Sequence, residues 1–227
     1  MAGETKLWNL AAVVTSICAL TITGLVVRRE IFPSRRASSA SEPPQLIPGW
    51  QKFAIEGHRI GPASALVTIL EFADFECPVC REFTIRALRG VRAKYGDRVS
   101  IVFRNWPLSY HRLSYPAARA AECVGEQGRF VEFHDLIYLK QDSLGLKSFS
   151  QFAKESGVQD SVRFERCNDS TAPVPAIEAD IRAALAVNGR GTPTVIINGY
   201  RYVGAPDSVA LDNIVQNSLK GKDGTQR

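Results

Sequence analysis

Leu66-Val67-Thr68-Ile69-Leu70-Glu71-Phe72-Ala73-Asp74-Phe75-Glu76-Cys77-Pro78-Val79-Cys80 is the stretch on which the fold turns. Its first seven residues, Leu66 to Phe72, are mostly apolar or β-branched, the pattern of a buried strand. Pro78 suits the first turn of a helix, where its missing amide proton would have had no partner. Downstream, Phe83, Ala87, Leu88 and Val91 recur at helical spacing, with basic residues near the end of the run, favourable to the helix dipole. Val99 to Phe103 reads as the next strand. Strand, helix and strand make a right-handed βαβ unit with parallel strands.

Outward from this unit, Gln51 to Ile60 reads as a short strand or hairpin arm closed by Gly61-Pro62. The middle of the chain is helical: Pro116 to Val124 is alanine-rich, Arg129 to Lys140 carries Phe130, Phe133, Ile137 and Tyr138 on one face, and Lys147 to Glu155, Val158 to Cys167 and Pro173 to Val187 continue the pattern. Thr194 to Ile197 is a strand, Asn198-Gly199 a turn into Arg201-Tyr202-Val203, and Asp207 a cap for a last helix to Leu219. The expected class is α/β, a βαβ unit and a ββα unit with helices inserted over about 108–172.

Cys77 and Cys80, three apart at a helix start, are the sharpest chemical signal. Free amides and the positive end of the helix dipole stabilise a thiolate at Cys77 below the usual thiol value of about 8.5, with its sulfur exposed and Cys80 partly covered by the turn. Cys77 is the attacking thiol and Cys80 the resolving one. A metal site would need two more ligands converging from Cys123, His58, His111 or His134, and no second close pair exists. Glu71, inside the apolar strand, is either a buried acid that exchanges a proton with Cys80 or an outward-facing solvating residue. Asp74 and Glu76 read as rim charges, with Glu76 opposing the Cys77 thiolate. His111 and His134 are expected to face solvent or pack between helices, and Trp106, Tyr110 and Phe130 to be core or rim aromatics. Gly191-Thr192-Pro193-Thr194 precedes a buried strand; a cis bond at Pro193 would bring the Thr192 backbone to the cysteine pair, where it can pair with an extended substrate. Thr192, Pro193, Pro78 and Val79 are thus the expected substrate-facing residues. Cys123 and Cys167 are forty-four apart on expected helices; a bond between them would staple the inserted region, against the alternative of two separate buried thiols.

The run Phe72 to Cys80, followed by Ala117 to His134 and by Gly191-Thr192-Pro193-Thr194, resembles the DsbA-like thioredoxin-fold family, above all its membrane-anchored bacterial members. The resemblance extends from about Trp50 to Leu219. It implies a thioredoxin fold, Cys77 as nucleophile, Cys80 as resolving cysteine, Pro193 as the cis-proline and Glu71 at the position of the family's buried acid. It adds that relatives often carry a second disulfide such as Cys123–Cys167. It also implies reduced exported proteins as substrates and reoxidation by an integral-membrane, quinone-linked partner. Val79 stands where the best-known oxidase has histidine, so its strongly oxidising potential does not transfer. A thiol reductase or disulfide isomerase is the alternative within enzymes, and a structural or metal-binding domain the alternative outside them. No flavin, nicotinamide or metal motif is present, and the redox group is the cysteine pair itself.

At 227 residues, 45% of them apolar and 22% charged, the chain has room for one sizeable core plus an appendage. The net charge of +5 comes partly from Arg28, Arg29, Arg35 and Arg36 and from Lys220, Lys222 and Arg227; no basic stripe interleaved with aromatics suggests a nucleic-acid groove. Trp8 to Val27 carries no charge and is long enough to cross a bilayer, so residues 1–28 read as a single uncleaved transmembrane helix, with a cleaved signal peptide as the alternative and Cys18 as an apolar filler. Residues 29–49 are a Ser- and Pro-rich linker, 50–220 the thioredoxin-fold domain and 221–227 a polar tail. Four arginines after the apolar run favour a cytoplasmic domain, whereas disulfide chemistry favours the outer face of the membrane; the chemistry is given precedence. With only an anchor and linker before Trp50, a monomer is expected.

Overall fold

The computed structural model describes Thr23 and residues 43–223. The chain divides into residues 1–41 and 42–227, and the elements below belong to the second unit. Apart from Thr23, the expected membrane anchor at 1–28 lies outside the described residues, as do most of the linker and the end of the tail. Among the described residues no helix is long and apolar enough to cross a membrane.

Six strands form one sheet: β1 (Gln45–Leu46), β2 (His58–Ile60), β3 (Val67–Ala73), β4 (Val99–Asn105), β5 (Thr194–Ile197) and β6 (Tyr200–Tyr202), in the order β1-β6-β5-β3-β4-β2. Only β3 and β4 run parallel; the other pairings are antiparallel. Between β3 and β4 lie α1 (Pro78–Glu82), a π-helical segment (Phe83–Leu88) and α2 (Arg89–Tyr95). The expected helix is therefore continuous in course but widened in the middle, burying Phe83, Thr84, Ala87 and Leu88. α3 (Ser114–Gly125), α4 (Phe130–Leu139), α5 (Phe149–Glu155) and α6 (Ser161–Asn168) form the inserted region. α7 (Pro175–Ala186) leads back to β5, and α8 (Ser208–Asp223) closes the chain, with Asp207 Oδ1 accepting from Ala210 N at 2.8 Å.

Alternation along the strands builds two cores. On one face, Val67, Ile69 and Ala73 of β3, Ile101 and Phe103 of β4 and Val195 and Ile197 of β5 pack with Cys77, Cys80, Phe83, Leu88 and the insert's Phe133, Ile137, Tyr138 and Phe164. On the other, Leu70, Phe72, Val102 and Ile196 meet Trp106, Ala184 and Val187. There Arg104, almost wholly buried, donates to Asp180 Oδ1 at 2.5 Å and to Phe53 O at 3.0 Å, while Asp180 Oδ2 accepts from Asn105 N at 2.7 Å. A buried guanidinium so partnered fixes α7 against β4.

Two local expectations are corrected. The segment expected as a strand or hairpin arm over 51–60 is a 3₁₀ helix at Trp50–Ala54 followed by β2 alone. Gly57 allows that change of direction: its φ is 94°, and a Cβ there would lie 2.6 Å from Phe103 O. Gln45 and Leu46, read as linker, pair with Arg201 and Tyr200, and Ile47 is buried against the second core.

Candidate active site

The parity of β3 aims Glu71 at the same face as Val67, Ile69 and Ala73, the face that carries Cys77 and Cys80. Its register neighbours are Phe103 and Val195, so apolar side chains flank it on both sides. Glu71 is fully buried and neither carboxyl oxygen has a hydrogen-bond partner. Burial, and secondarily the charge of Cys77, push its pKa up to about 8. Of the two sequence readings, the buried acid describes this residue.

After β3 the chain turns through Asp74-Phe75-Glu76, and Cys77 caps α1 with Pro78 in the first turn. Cys77 N donates to Asp74 O at 3.1 Å and Arg81 N to Cys77 O at 3.1 Å. Cys77 and Cys80 are free thiols, 5% and 0% exposed. The expected exposure of the first sulfur is thus corrected: Pro78 and Val79 are the exposed members of the loop, and Cys77 is buried beside the Thr192–Pro193 segment, whose peptide bond is cis. The Cys77 thiol faces Thr192 O at 3.4 Å. Its pKa is lowered to about 6, mainly by the Cys80 thiol's hydrogen bond, against burial, with help from Thr192 and the Cys80 and Val79 amides. In the thiol form the sulfur donates to the Thr192 carbonyl; in the thiolate form the Thr192 side chain, whose hydroxyl is otherwise buried without a partner, favours the charge. Cys80 is driven the other way, by burial, by its bond to Cys77 and by the charges of Glu71 and Cys77. One thiol is set to ionise and its neighbour to keep its proton.

Asp74 is not a rim charge. It is 1% exposed, and its carboxylate takes Glu76 N at 2.8 Å, Leu108 N at 3.0 Å and lies 2.8 Å from His111 Nδ1. Glu76 Oε2 accepts from Leu113 N at 2.5 Å, next to the start of α3. Both acids tie the cysteine loop to the β4–α3 connection. From the insert, Tyr138 donates its hydroxyl to Asp74 O at 3.2 Å, and Gln141 Nε2 donates to Phe75 O at 2.8 Å and Cys77 O at 3.0 Å. Neither Tyr138 nor Gln141 was expected in this role; single polar contacts across more than sixty residues leave no spacing signal. Trp106 and Phe130 are buried and Tyr110 is exposed. His58, His111 and His134 go to separate carboxylates, those of Glu122, Asp74 and Asp135. Cys123 and Cys167 are joined by a disulfide with a Cα–Cα distance of 5.8 Å, linking α3 to α6.

A family model described as thioredoxin matches residues 54–217, which takes in the cysteine pair, the insert and the cis-proline loop. The chain belongs to the thioredoxin family. Among solved structures the thioredoxin domain is similar to oxidised BdbD from Bacillus subtilis, with a TM-score of 0.66 and 21% identity over 79% of this chain and 97% of that one. It is likewise similar to α-DsbA1 from Wolbachia pipientis, with a TM-score of 0.64 and 18% identity over 74% and 94% of the two chains. The DsbA-like thioredoxin fold is thereby shown. A curated relative, a Na⁺/H⁺ antiporter NhaA from Herminiimonas arsenicoxydans, is 32% identical over 164 residues, 72% of this chain and 26% of its own. The chain spans about a quarter of the length of the curated relatives it matches, and the antiporter name does not pass to it.

Proposed function

We propose that the thioredoxin domain is a thiol–disulfide oxidoreductase that forms disulfides in exported proteins through Cys77 and Cys80. The observation that carries this is the polarised pair: a Cys77 thiol with a pKa near 6 at the mouth of α1, held against Thr192, over a Cys80 thiol pushed well above its ordinary value. From the oxidised pair, a substrate thiolate attacks Cys77 Sγ, the Cys77–Cys80 bond breaks and Cys80 leaves as the thiolate. Glu71, buried on the same face, is the acid that protonates it, directly or through water. A second substrate thiolate then attacks the substrate sulfur of the mixed disulfide and releases Cys77 as a thiolate. The substrate has lost two electrons and the pair has gained them. Pro78, Val79, Thr192 and Pro193 line the approach.

A thiolate stabilised at Cys77 stabilises the reduced enzyme and so favours the oxidase direction, while Glu71, once ionised above its raised pKa of about 8, opposes that thiolate and favours a milder, reductase-like poise. The reduction potential of the pair decides: a value well above thioredoxin's level of about −270 mV supports the oxidase, and one at that level overturns it. In the Cys80→Ala variant a substrate protein should accumulate as a mixed disulfide with Cys77; absence of capture under oxidising and reducing conditions alike sinks the exchange reading. The Cys123–Cys167 bond supports an extracytoplasmic site of action, and the apolar run before Arg28 supports a membrane tether and reoxidation by an integral-membrane, quinone-linked partner.

A further inference from the structure

Asp74, in the turn between β3 and α1, bears on both cysteines through its backbone. Its carbonyl accepts from Cys77 N at 3.1 Å and from the Tyr138 hydroxyl at 3.2 Å. Its amide acts on Cys80, where it favours a thiolate against burial, the bond to Cys77 and the charges of Glu71 and Cys77. When the Cys77–Cys80 bond opens, its electron pair passes to Cys80 Sγ. In the disulfide that sulfur is neutral and in the reduced pair it keeps its proton, so an amide donor beside it stabilises the opening step more than either resting state.

The Asp74 side chain accounts for what keeps that amide in place. Its carboxylate is wholly covered; Oδ1 accepts from Glu76 N at 2.8 Å, and Oδ2 accepts from Leu108 N at 3.0 Å and lies 2.8 Å from His111 Nδ1. A carboxylate only accepts, so Nδ1 is the donor. Glu76 belongs to the same turn and moves with it, whereas Leu108 and His111 belong to the β4–α3 connection and hold the turn from outside. The imidazole is itself fixed: His111 N donates to Leu108 O at 3.0 Å, Ser114 Oγ donates to the same oxygen at 3.2 Å, and the ring packs edge-on to Tyr110 with centroids 4.5 Å apart. A carboxylate is costly to bury unless donors complete it, and the donors gathered here are those that lock the turn.

We propose that His111 and Asp74 are positioning residues for disulfide opening: His111 Nδ1 holds the Asp74 carboxylate, and Asp74, so clamped, presents its amide to the Cys80 sulfur as the bond to Cys77 breaks. The inference rests on the thiol-exchange reading above. In the step it concerns, the substrate thiolate forms a bond to Cys77 Sγ, the Cys77–Cys80 bond breaks with its electron pair on Cys80 Sγ, and Glu71 supplies the proton that neutralises it. The Asp74 amide transfers nothing; it steadies the charge until the proton arrives.

The test uses the full oxidised chain and reduced glutathione, and reads two quantities: the second-order rate constant for opening the Cys77–Cys80 disulfide, and the equilibrium constant of the pair in a glutathione buffer. His111→Ala should slow opening about fivefold and closure by the same factor, leaving the equilibrium constant unchanged, because the lost contact acts on the developing thiolate and on neither resting state. His111→Asn, whose Nδ2 stands in the same relation to Cβ as the imidazole Nδ1, should restore the rate. His111→Leu, which keeps an apolar contact for Tyr110, takes the place of the alanine variant where that fails to fold. An unchanged opening rate in the donor-free variants overturns the proposal. Equal slowing in His111→Ala and His111→Asn overturns it in favour of a role for the imidazole's charge. A shift in the equilibrium constant as large as the change in rate overturns it too, since the contact would then act on the stability of one redox state. A wild-type chain that reacts neither with glutathione nor with a cysteine peptide removes the exchange reading itself.

Discussion

Cys77 and Cys80 are three residues apart and stand free where β3 gives way to α1, whereas Cys123 and Cys167 are forty-four apart and bonded between α3 and α6. Both pairs are largely covered by protein, so burial does not distinguish them. What differs is the neighbourhood of the sulfur. Cys77 has amides of a helix start, a thiol donor and the Thr192 segment around it, together with an unpartnered acid beneath, so its charge state can change at modest cost. Cys123 lies among Ala120, Ala121, Val124 and Phe164 in the apolar core, where nothing would receive a thiolate. Reactivity follows from the polar groups that surround a sulfur, and mere linkage from their absence.

The sharpest way to break this comparison is to exchange the roles of the pairs by mutation. Cys77→Ser should abolish dithiol oxidation of a model peptide, a loss of at least about a thousandfold, since no other thiolate stands at the site. Replacing Cys123 and Cys167 together by Ala should leave that activity largely intact but lower the unfolding free energy by about 3–4 kcal/mol, read from urea melts. Turnover that depends on the second pair would overthrow the division between them.

The acid beneath the reactive pair gives a smaller, pH-dependent effect. Because the folded pKa of Glu71 is raised to about 8, the folded state holds a proton that the unfolded state releases above about 4.3. The cost to stability is absent at pH 4, grows between the two values and is complete above about 8. Glu71→Gln should therefore change stability little at pH 4 and stabilise by up to a few kcal/mol at pH 9, while slowing release of Cys80 during turnover. The reduced protein carries an opposite contribution from Cys77: its lowered pKa adds stability above the free-thiol value, and that stability is lost as pH falls through about 6. Alkylation of Cys77 by iodoacetamide should accordingly show a midpoint near pH 6. The smallest expected effect is that of Gln141→Ala, which strips the Phe75 and Cys77 carbonyls of one donor and should cost about 1 kcal/mol, with the loss confined to the reduced form's loop as seen by hydrogen exchange.

What could be read before folding was whatever is written locally. Cys77, Cys80 and Pro78 announce a helix start by adjacency, and Val67 to Ala73 announces a strand by its β-branched run. The parity of that strand aims Glu71 at the cysteines, yet only the neighbours Phe103 and Val195, from distant strands, make it a buried acid. Asp74 was misread because its partners Leu108 and His111 arrive thirty-four and thirty-seven residues later, and a carboxylate with three donors is as much at home inside as outside. Gln141 belongs to no pattern. The strand at Gln45–Leu46 was hidden by the prolines around it and by being too short to alternate.

That short strand has a consequence for the proposed work on unfolded chains. An open sheet edge offers any extended polypeptide a row of unanswered amides and carbonyls, and would collect such chains indiscriminately. Here one border ends in two residues flanked by Pro43, Pro44 and Pro48, which bring no amide proton, and the other in the three residues of β2 between Gly57 and Gly61. With both borders blunted, the proposed docking of an arriving chain is left to the Thr192 backbone, whose carbonyl lies 3.4 Å from the Cys77 sulfur.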